Sequence, residues 1–128
     1  MILVDTSVWV DHLRVGRRAL QHLLERGAVL GHPWVTGELA LGHLARRQAI
    51  LGLLRSLPPA TVATSEETLV FIDRHQLAGS GVGYVDVQLL AAAQLTPDAS
   101  LWTTDKRVAA TAVRLGLAVD PSALNEGP

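Results

Sequence analysis

Four of the twelve acidic residues stand where a solvated helix surface would not call for an acid: Asp5, Glu38, Asp86 and Asp105. Asp5 ends an apolar run at the start of the chain, and Asp105 follows the strand-like segment 101–104. In open parallel sheets, ligands bind beyond the carboxyl ends of the strands. Acids at two such ends therefore predict a polar site there. The alternative for each is helix N-capping, which aspartate performs well.

Glu38 lies in a helical segment with mainly apolar neighbours. Helical spacing places Trp34 and Leu41 about one turn away from it, and Gly37 and Gly42 flank it. Two glycines lower helix propensity by about 1 kcal/mol each relative to alanine, which favours a packing reason for them. We therefore expect a partly buried carboxylate with close packing around it. A solvated helix acid is the alternative.

Asp86 lies in the first turn of an otherwise apolar helix, where favourable interaction with the helix dipole is the alternative explanation. If the four carboxylates converge, their mutual repulsion calls for a cation. Sites made of carboxylates suit hard divalent cations such as Mg²⁺ or Mn²⁺. Such metals are typical of enzymes that hydrolyse phosphodiester bonds. The residues thus predict a metal-dependent reaction on phosphate esters.

The hydrophobic pattern alternates between strand-like and helix-like segments along the chain. This alternation predicts an α/β fold with a mostly parallel sheet covered on both faces. The predicted strands are 2–5, 28–31, 61–64, 100–103 and 117–119. The predicted helices are 6–14, 17–26, 34–46, 48–57, 65–77, 84–95 and 105–115.

Length and composition favour one folded domain over 1–128. The chain has 128 residues, 48% of them hydrophobic, and a net charge of −1, which excludes a disordered chain and gives no globally basic signature. It has no cysteine, which excludes disulfides, thiolate zinc sites and cysteine nucleophiles. No signal peptide and no membrane span are expected, so we expect a cytoplasmic protein.

Four sequence blocks, in this order, resemble PIN domains and most closely the VapC-type toxins of bacterial toxin–antitoxin pairs: 5–14, 36–42, 83–93 and 102–107. The resemblance implies a five-stranded parallel sheet in the order 3-2-1-4-5 within a single PIN domain. It also implies a Mg²⁺- or Mn²⁺-dependent endoribonuclease that works as a homodimer and is inhibited by a small VapB-type antitoxin. By the matching blocks, the four acids take the family's metal and catalytic positions. Supporting hydroxyls are expected at Thr6, Ser7 and Thr104.

The cationic residues cluster locally, and ten of the eleven are arginines. Their ordinary interpretation is as solvated helix faces, and the alternative is contact with an RNA backbone. The candidates for that contact are Arg14, Arg46, Lys106 and Arg107. The tryptophans are interpreted as core residues, with Trp34 alternatively lining a groove. The apolar run 49–54 is interpreted as a buried helix or as a dimer or antitoxin surface.

Two other classes of function remain open at this point. A non-catalytic PIN-like module would bind a partner without needing metal. A receiver- or phosphatase-type phosphoacceptor is less consistent with the residues, because Asp5 has no acidic neighbour and Ser7 stands where a second aspartate would be needed. The sequence leaves the RNA target open, since RNA choice rests on shape and single-stranded loops.

Overall fold

The computed structural model describes residues 1–124, so the last four residues of the predicted 1–128 domain lie outside the described residues. Short parallel strands alternate with helices, as the hydrophobic pattern predicts. The strands are β1 (Ile2–Val4), β2 (Val29–Leu30) and β3 (Ser100–Trp102). The helices are α1 (Thr6–Val15), α2 (Arg18–Glu25), α3 (Pro33–Ala40), α4 (Arg47–Ser56), α5 (Ser65–Arg74), α6 (Tyr84–Leu95) and α7 (Lys106–Arg114), followed by a 3₁₀ turn, Pro121–Leu124.

The sheet has three strands in the order β2-β1-β3, all parallel. The strands are apolar and almost entirely buried, as expected when helices cover both faces of a parallel sheet. Val4 of the central strand pairs with Trp102 of β3. The segments that follow these two strands therefore begin at the same level, which brings the residue after β1 beside the residue after β3. The predicted α/β class and the central strand order are confirmed.

The prediction of five strands is wrong for the described part of the chain. The segment 61–64 forms no strand, and the chain touches the sheet only through one parallel bridge between Gly31 and Pro59. Consecutive prolines at 58 and 59 lack backbone N–H donors, so they cannot sustain a ladder. The N–H of Ala60 still donates to the carbonyl of Gly31 at 2.9 Å, but the N–H of Thr61 donates to the hydroxyl of Thr96 at 2.9 Å, so the pairing stops there.

The opposite edge is shortened in the same way. The predicted strand 117–119 is reduced to one parallel bridge between Leu101 and Ala118. Gly116, with a φ of +72°, ends the preceding helix in a conformation that favours glycine, and Pro121 opens a 3₁₀ turn. The few residues between them allow only two hydrogen bonds to Leu101, at 2.7 and 3.0 Å.

Helix α6 forms the centre of the core. Every residue from position 87 to position 93 is buried, and all of them except Gln88 are apolar, so this part of the helix is surrounded by core on all sides. Trp9 and Trp102 are core residues, as predicted. Trp34 is 39% exposed, so the core interpretation is wrong for this tryptophan. Its side chain packs edge-on against the ring of Tyr84, with centroids 5.7 Å apart.

Two helices differ from the prediction in ways that bear on surfaces. The predicted helix 34–46 ends at Ala40, and the chain turns through Gly42 before Arg46 adopts a left-handed conformation with a φ of 55°. Within the apolar run 49–54, Leu54 is buried while Leu53 is 39% exposed. Helix α4 therefore contributes one side to the core and leaves the other at the surface.

Candidate active site

Asp5 is a buried carboxylate at the end of the central strand, only 4% exposed. It occupies the N-cap position of α1, yet its side chain makes no capping hydrogen bond. One carboxylate oxygen, Oδ2, accepts hydrogen bonds from the Ser7 hydroxyl at 2.8 Å and the Thr103 hydroxyl at 2.7 Å. Capping therefore does not explain this residue. Two hydroxyls from different ends of the sequence fix the orientation of its carboxylate.

Asp105 is exposed and caps helix α7. Its Oδ1 accepts hydrogen bonds from the backbone N–H groups of Arg107 at 2.9 Å and Val108 at 3.1 Å. The capping alternative is thus confirmed for this residue. Capping uses the Oδ1 oxygen, so the carboxylate is held rigidly while its other oxygen makes none of these capping contacts.

Glu38 is hydrogen-bonded but not buried. Its Oε1 accepts a hydrogen bond of 2.6 Å from the Thr6 hydroxyl, which links helices α3 and α1. The prediction of a partly buried acid with glycines packed around it is wrong. A Cβ added at Gly37 would meet nothing within 4 Å, and at Gly42 it would meet only a backbone oxygen at ordinary contact distance, 3.6 Å. The side chain is instead exposed beside Trp34.

Asp86 connects the four acids electrostatically. Its pKa is raised from the ordinary value of 3.8 to about 6, first by burial in the first turn of α6 and then by the negative charges of Asp5, Asp105 and Glu38. Like charges disfavour ionisation only when they are near one another. Helices α3 and α6 and the ends of β1 and β3 therefore deliver all four acids to one region.

The donor set of this region fits a hard divalent cation in chemistry and charge. In residues 1–124 the only ion pairs join Asp11 to Arg14 and to Arg17, so no cationic side chain neutralises the four carboxylates. Carboxylate oxygens are the ligands that Mg²⁺ and Mn²⁺ prefer. As they stand, however, no three His, Asp or Glu side chains of this part of the chain lie close enough together to hold one ion.

The supporting hydroxyls are placed partly as expected. Thr6 donates to Glu38 and Ser7 donates to Asp5. Thr104 instead contributes its backbone N–H, which donates to the Ser7 hydroxyl at 3.2 Å. The second hydroxyl on Asp5 belongs to Thr103, which sequence reasoning missed. Strand register was the missing information, since pairing of Val4 with Trp102 aligns the following residues.

Two of the four candidate RNA-binding residues lie with the carboxylates. Lys106 and Arg107 line an open depression of about 560 Å³ together with Asp86 and Asp105. Arg14 is exposed and pairs with Asp11 at 3.4 Å.

The fourth candidate, Arg46, is exposed at the start of α4 and does not line that depression. The structure therefore groups only the cations of α7 with the acids.

A shallow apolar groove adjoins Glu38. Trp34 and Leu41 line it, and Leu41 is 91% exposed. Tyr84, 45% exposed, extends this surface through its contact with Trp34. The groove interpretation of Trp34 thus describes its surroundings better than the core interpretation. Exposed apolar side chains in one patch are typical of a binding surface.

Comparison with known proteins shows similarity to a named ribonuclease from two strains of one species. The chain is 44% identical to Ribonuclease VapC32 of Mycobacterium tuberculosis, strains CDC 1551 / Oshkosh and ATCC 25618 / H37Rv. The similarity extends over 119 residues, which are 93% of this chain and 96% of the relative. No family model matches the chain.

The raised pKa of Asp86 predicts that metal-free protein becomes more stable as the pH falls from 7 toward 4. The folded state binds this proton more tightly than the unfolded state does, so stability decreases as the pH rises through about 6. Because the carboxyl is partly exposed, solvent screening limits the effect to about 1 kcal/mol. Asp86→Asn should remove this pH dependence and stabilise the EDTA-treated protein at pH 7.5 by a similar amount, measured by urea unfolding.

Glu66→Gln is the matched control, because Glu66 is an exposed acid in the first turn of α5 outside the site. It should leave the pH dependence between 5 and 7.5 unchanged. If the free energy of unfolding of Asp86→Asn keeps the wild-type dependence on pH over this range, Asp86 is not the group whose raised pKa destabilises the folded state.

Loss of the Thr103 hydroxyl should destabilise the fold. The hydroxyl donates to Asp5 and accepts the N–H of Asp105 at 3.1 Å, so Thr103→Val leaves a buried carboxylate with fewer partners. We expect a loss of about 1–3 kcal/mol in the free energy of unfolding. Thr104→Val, whose hydroxyl is exposed, should change it by less than about 0.5 kcal/mol. Equal unfolding curves for the two variants would contradict the assigned role of Thr103.

Proposed function

This chain belongs to the VapC family of toxin ribonucleases, and we propose that Asp5, Glu38, Asp86 and Asp105 form its nuclease site. The observation that carries the assignment is the pKa of Asp86, which is raised first by burial and then by the charges of all three other carboxylates. Four acids that share one electrostatic site, and that form no ion pair with a cationic side chain in residues 1–124, are suited to hold Mg²⁺ or Mn²⁺. The site then hydrolyses phosphodiester bonds of RNA.

The cation would supply the chemistry that the side chains lack. A bound Mg²⁺ or Mn²⁺ acts as a Lewis acid on the phosphate and lowers the pKa of water nearby. The chain contributes orientation. Ser7 and Thr103 fix the carboxylate of Asp5, and Thr6 fixes that of Glu38, so each presents its oxygens in a defined direction. Partners of this kind typically change metal affinity or activity by about 10- to 100-fold.

The two cations of α7, Lys106 and Arg107, offset part of the negative charge that RNA meets at this site. Four carboxylates repel a polyanion, and Lys106 and Arg107 lie in the same depression as two of them. Cationic side chains provide the sequence-independent part of nucleic-acid binding. We place Arg14 and Arg46 at a distance from this contact, as secondary candidates only.

The partners proposed for this toxin are an RNA substrate and a VapB-type antitoxin, with the toxin itself as a homodimer in the cytoplasm. The groove of Trp34 and Leu41 beside Glu38 supports an antitoxin contact, because it joins exposed apolar surface to the acidic site. Residues 1–124 include no helix with the length and hydropathy of a membrane span. A single PIN domain over 1–128 is part of the same proposal.

A second candidate, a non-catalytic PIN-like binding module, is favoured by one observation. No three acidic side chains among the described residues lie close enough together to hold an ion as they stand. Titration calorimetry separates the two functions. Binding of Mn²⁺ that Asp5→Asn abolishes supports the nuclease, whereas an intact fold without Mn²⁺ binding supports the module.

The nuclease predicts RNA cleavage that requires added metal. Purified protein with Mn²⁺ should cut single-stranded RNA, EDTA should stop the reaction, and Asp5→Asn should lower kcat/KM by about 100-fold or more because asparagine is a poorer metal ligand of the same size. The measurement is the initial rate on a fluorescent RNA. Asp73→Asn, an exposed acid on α5, should cut at the wild-type rate. Equal rates for wild type and Asp5→Asn would show that the site is assigned wrongly.

A further inference from the structure

The guanidinium of Arg107 is held by a loop carbonyl and not by the acids around it. Its Nη1 donates a hydrogen bond of 3.2 Å to the backbone oxygen of Gly81. Asp86 and Asp105 line the same depression, yet neither forms an ion pair with Arg107, and within residues 1–124 ion pairs occur only at Asp11. The positive charge of Arg107 therefore stays unpaired in the depression that it shares with Asp86 and Asp105.

Glycine at position 81 makes this arrangement possible. Its φ of +84° lies in the region that favours glycine, and a Cβ built there would overlap Nη1 of Arg107 and approach Cζ to 3.0 Å. The surrounding loop is ordered by short contacts. The Ser80 N–H donates to the carbonyl of Leu77 at 3.0 Å, and the Ser80 hydroxyl accepts the N–H of Val82 at 3.2 Å. The loop therefore presents the Gly81 carbonyl in a fixed position.

The choice of a neutral acceptor has a chemical consequence. A guanidinium carries five N–H donors, and the Gly81 carbonyl uses one of them. The remaining donors form a planar fork that matches phosphate geometry. An ion pair with Asp86 or Asp105 would instead remove the charge from reach of a ligand and occupy a carboxylate.

We propose that the Gly81 carbonyl tethers Arg107 at the rim of the carboxylate depression, where its guanidinium binds a backbone phosphate of the RNA flanking the bond to be cut. The inference rests on the proposed ribonuclease function and adds a positioning residue, Gly81, and a phosphate contact. Lys106 lacks the planar fork of arginine and is not assigned this contact.

Two glycine variants separate the tether from backbone strain. Gly81→Ala displaces the guanidinium, and Gly79→Ala is the matched control. Gly79 lies in the same loop with a φ of +75°, but a Cβ there would meet nothing within 4 Å. Both variants thus strain the backbone alike, and only one moves Arg107. Arg107→Gln removes the charge directly.

RNA binding is measured by fluorescence anisotropy on a labelled single-stranded RNA of mixed sequence, with every variant carrying Asp5→Asn so that the RNA stays intact. Gly81→Ala and Arg107→Gln should each weaken binding roughly tenfold and reduce the slope of log K against log salt by about 0.7 to 1. Gly79→Ala should bind like the parent. Combining Gly81→Ala with Arg107→Gln should weaken binding no further than Arg107→Gln alone.

Two further measurements exclude a merely structural role. Without Asp5→Asn, Arg107→Gln should raise KM about as much as it weakens binding and leave kcat within about twofold, as expected for a contact away from the reacting atoms. Its affinity for Mn²⁺ in the absence of RNA should remain that of wild type. Loss of Mn²⁺ affinity in Arg107→Gln would overturn the inference, because Arg107 would then support the acidic site itself.

Equal RNA affinity of Gly81→Ala and Gly79→Ala would overturn the tether. Failure of the proposed function is distinguishable from this result. If wild-type protein with Mn²⁺ leaves RNA uncut, the nuclease assignment fails, while the anisotropy series still decides whether Gly81 positions Arg107 for a phosphate.

Discussion

A carboxylate buried at the end of the central strand is the constraint to which the other site residues conform. Burying an ionised group is strongly unfavourable unless polar partners surround it. Asp5 obtains them from Ser7 in the following helix and from Thr103 beyond the neighbouring strand. The parallel register of β1 and β3 is therefore coupled to the chemistry, since a shift of one residue would remove the Thr103 hydroxyl from Asp5.

Bringing these acids together lowers the free energy of unfolding, and the buried core raises it. Helix α6 shows both effects within one element. Its first turn carries Asp86, whose ionisation is disfavoured by burial and by three like charges. The following residues 87–93 are all buried and, apart from Gln88, apolar, so they anchor the helix through hydrophobic contact. Proteins commonly accept local instability at a functional site when the surrounding core supplies a margin of stability.

Local patterns predicted the helices and central strands, because each element follows from its own hydrophobic period. Helix α6 begins and ends where the pattern places it, at Tyr84 and Leu95. What failed depended on contacts between distant segments. The edge strand beside β2 needed backbone donors that Pro58 and Pro59 lack, and Trp34 packs at the surface against Tyr84, fifty positions later in the chain.

At the site, too, local sequence predicted the residue types, while contacts between distant segments could not be predicted from it. The acids were recognisable by residue type and position, whereas the hydroxyl partner of Asp5 depended on strand register. The hold of Gly81 on Arg107 depended on a loop conformation that composition alone does not specify. Glu38 was misjudged because flanking glycines were interpreted as packing positions, although the structure leaves them open.

The single bridges at the margins of the sheet restrict how another protein can associate with this one. A segment containing consecutive prolines covers the β2 side, and the turn at Pro121 closes off the β3 side. Within residues 1–124, each margin ends in a segment that makes only one bridge, which disfavours recognition by strand addition and edge-to-edge aggregation. Recognition through side chains on the helices is favoured instead, with specificity set by their shape and charge.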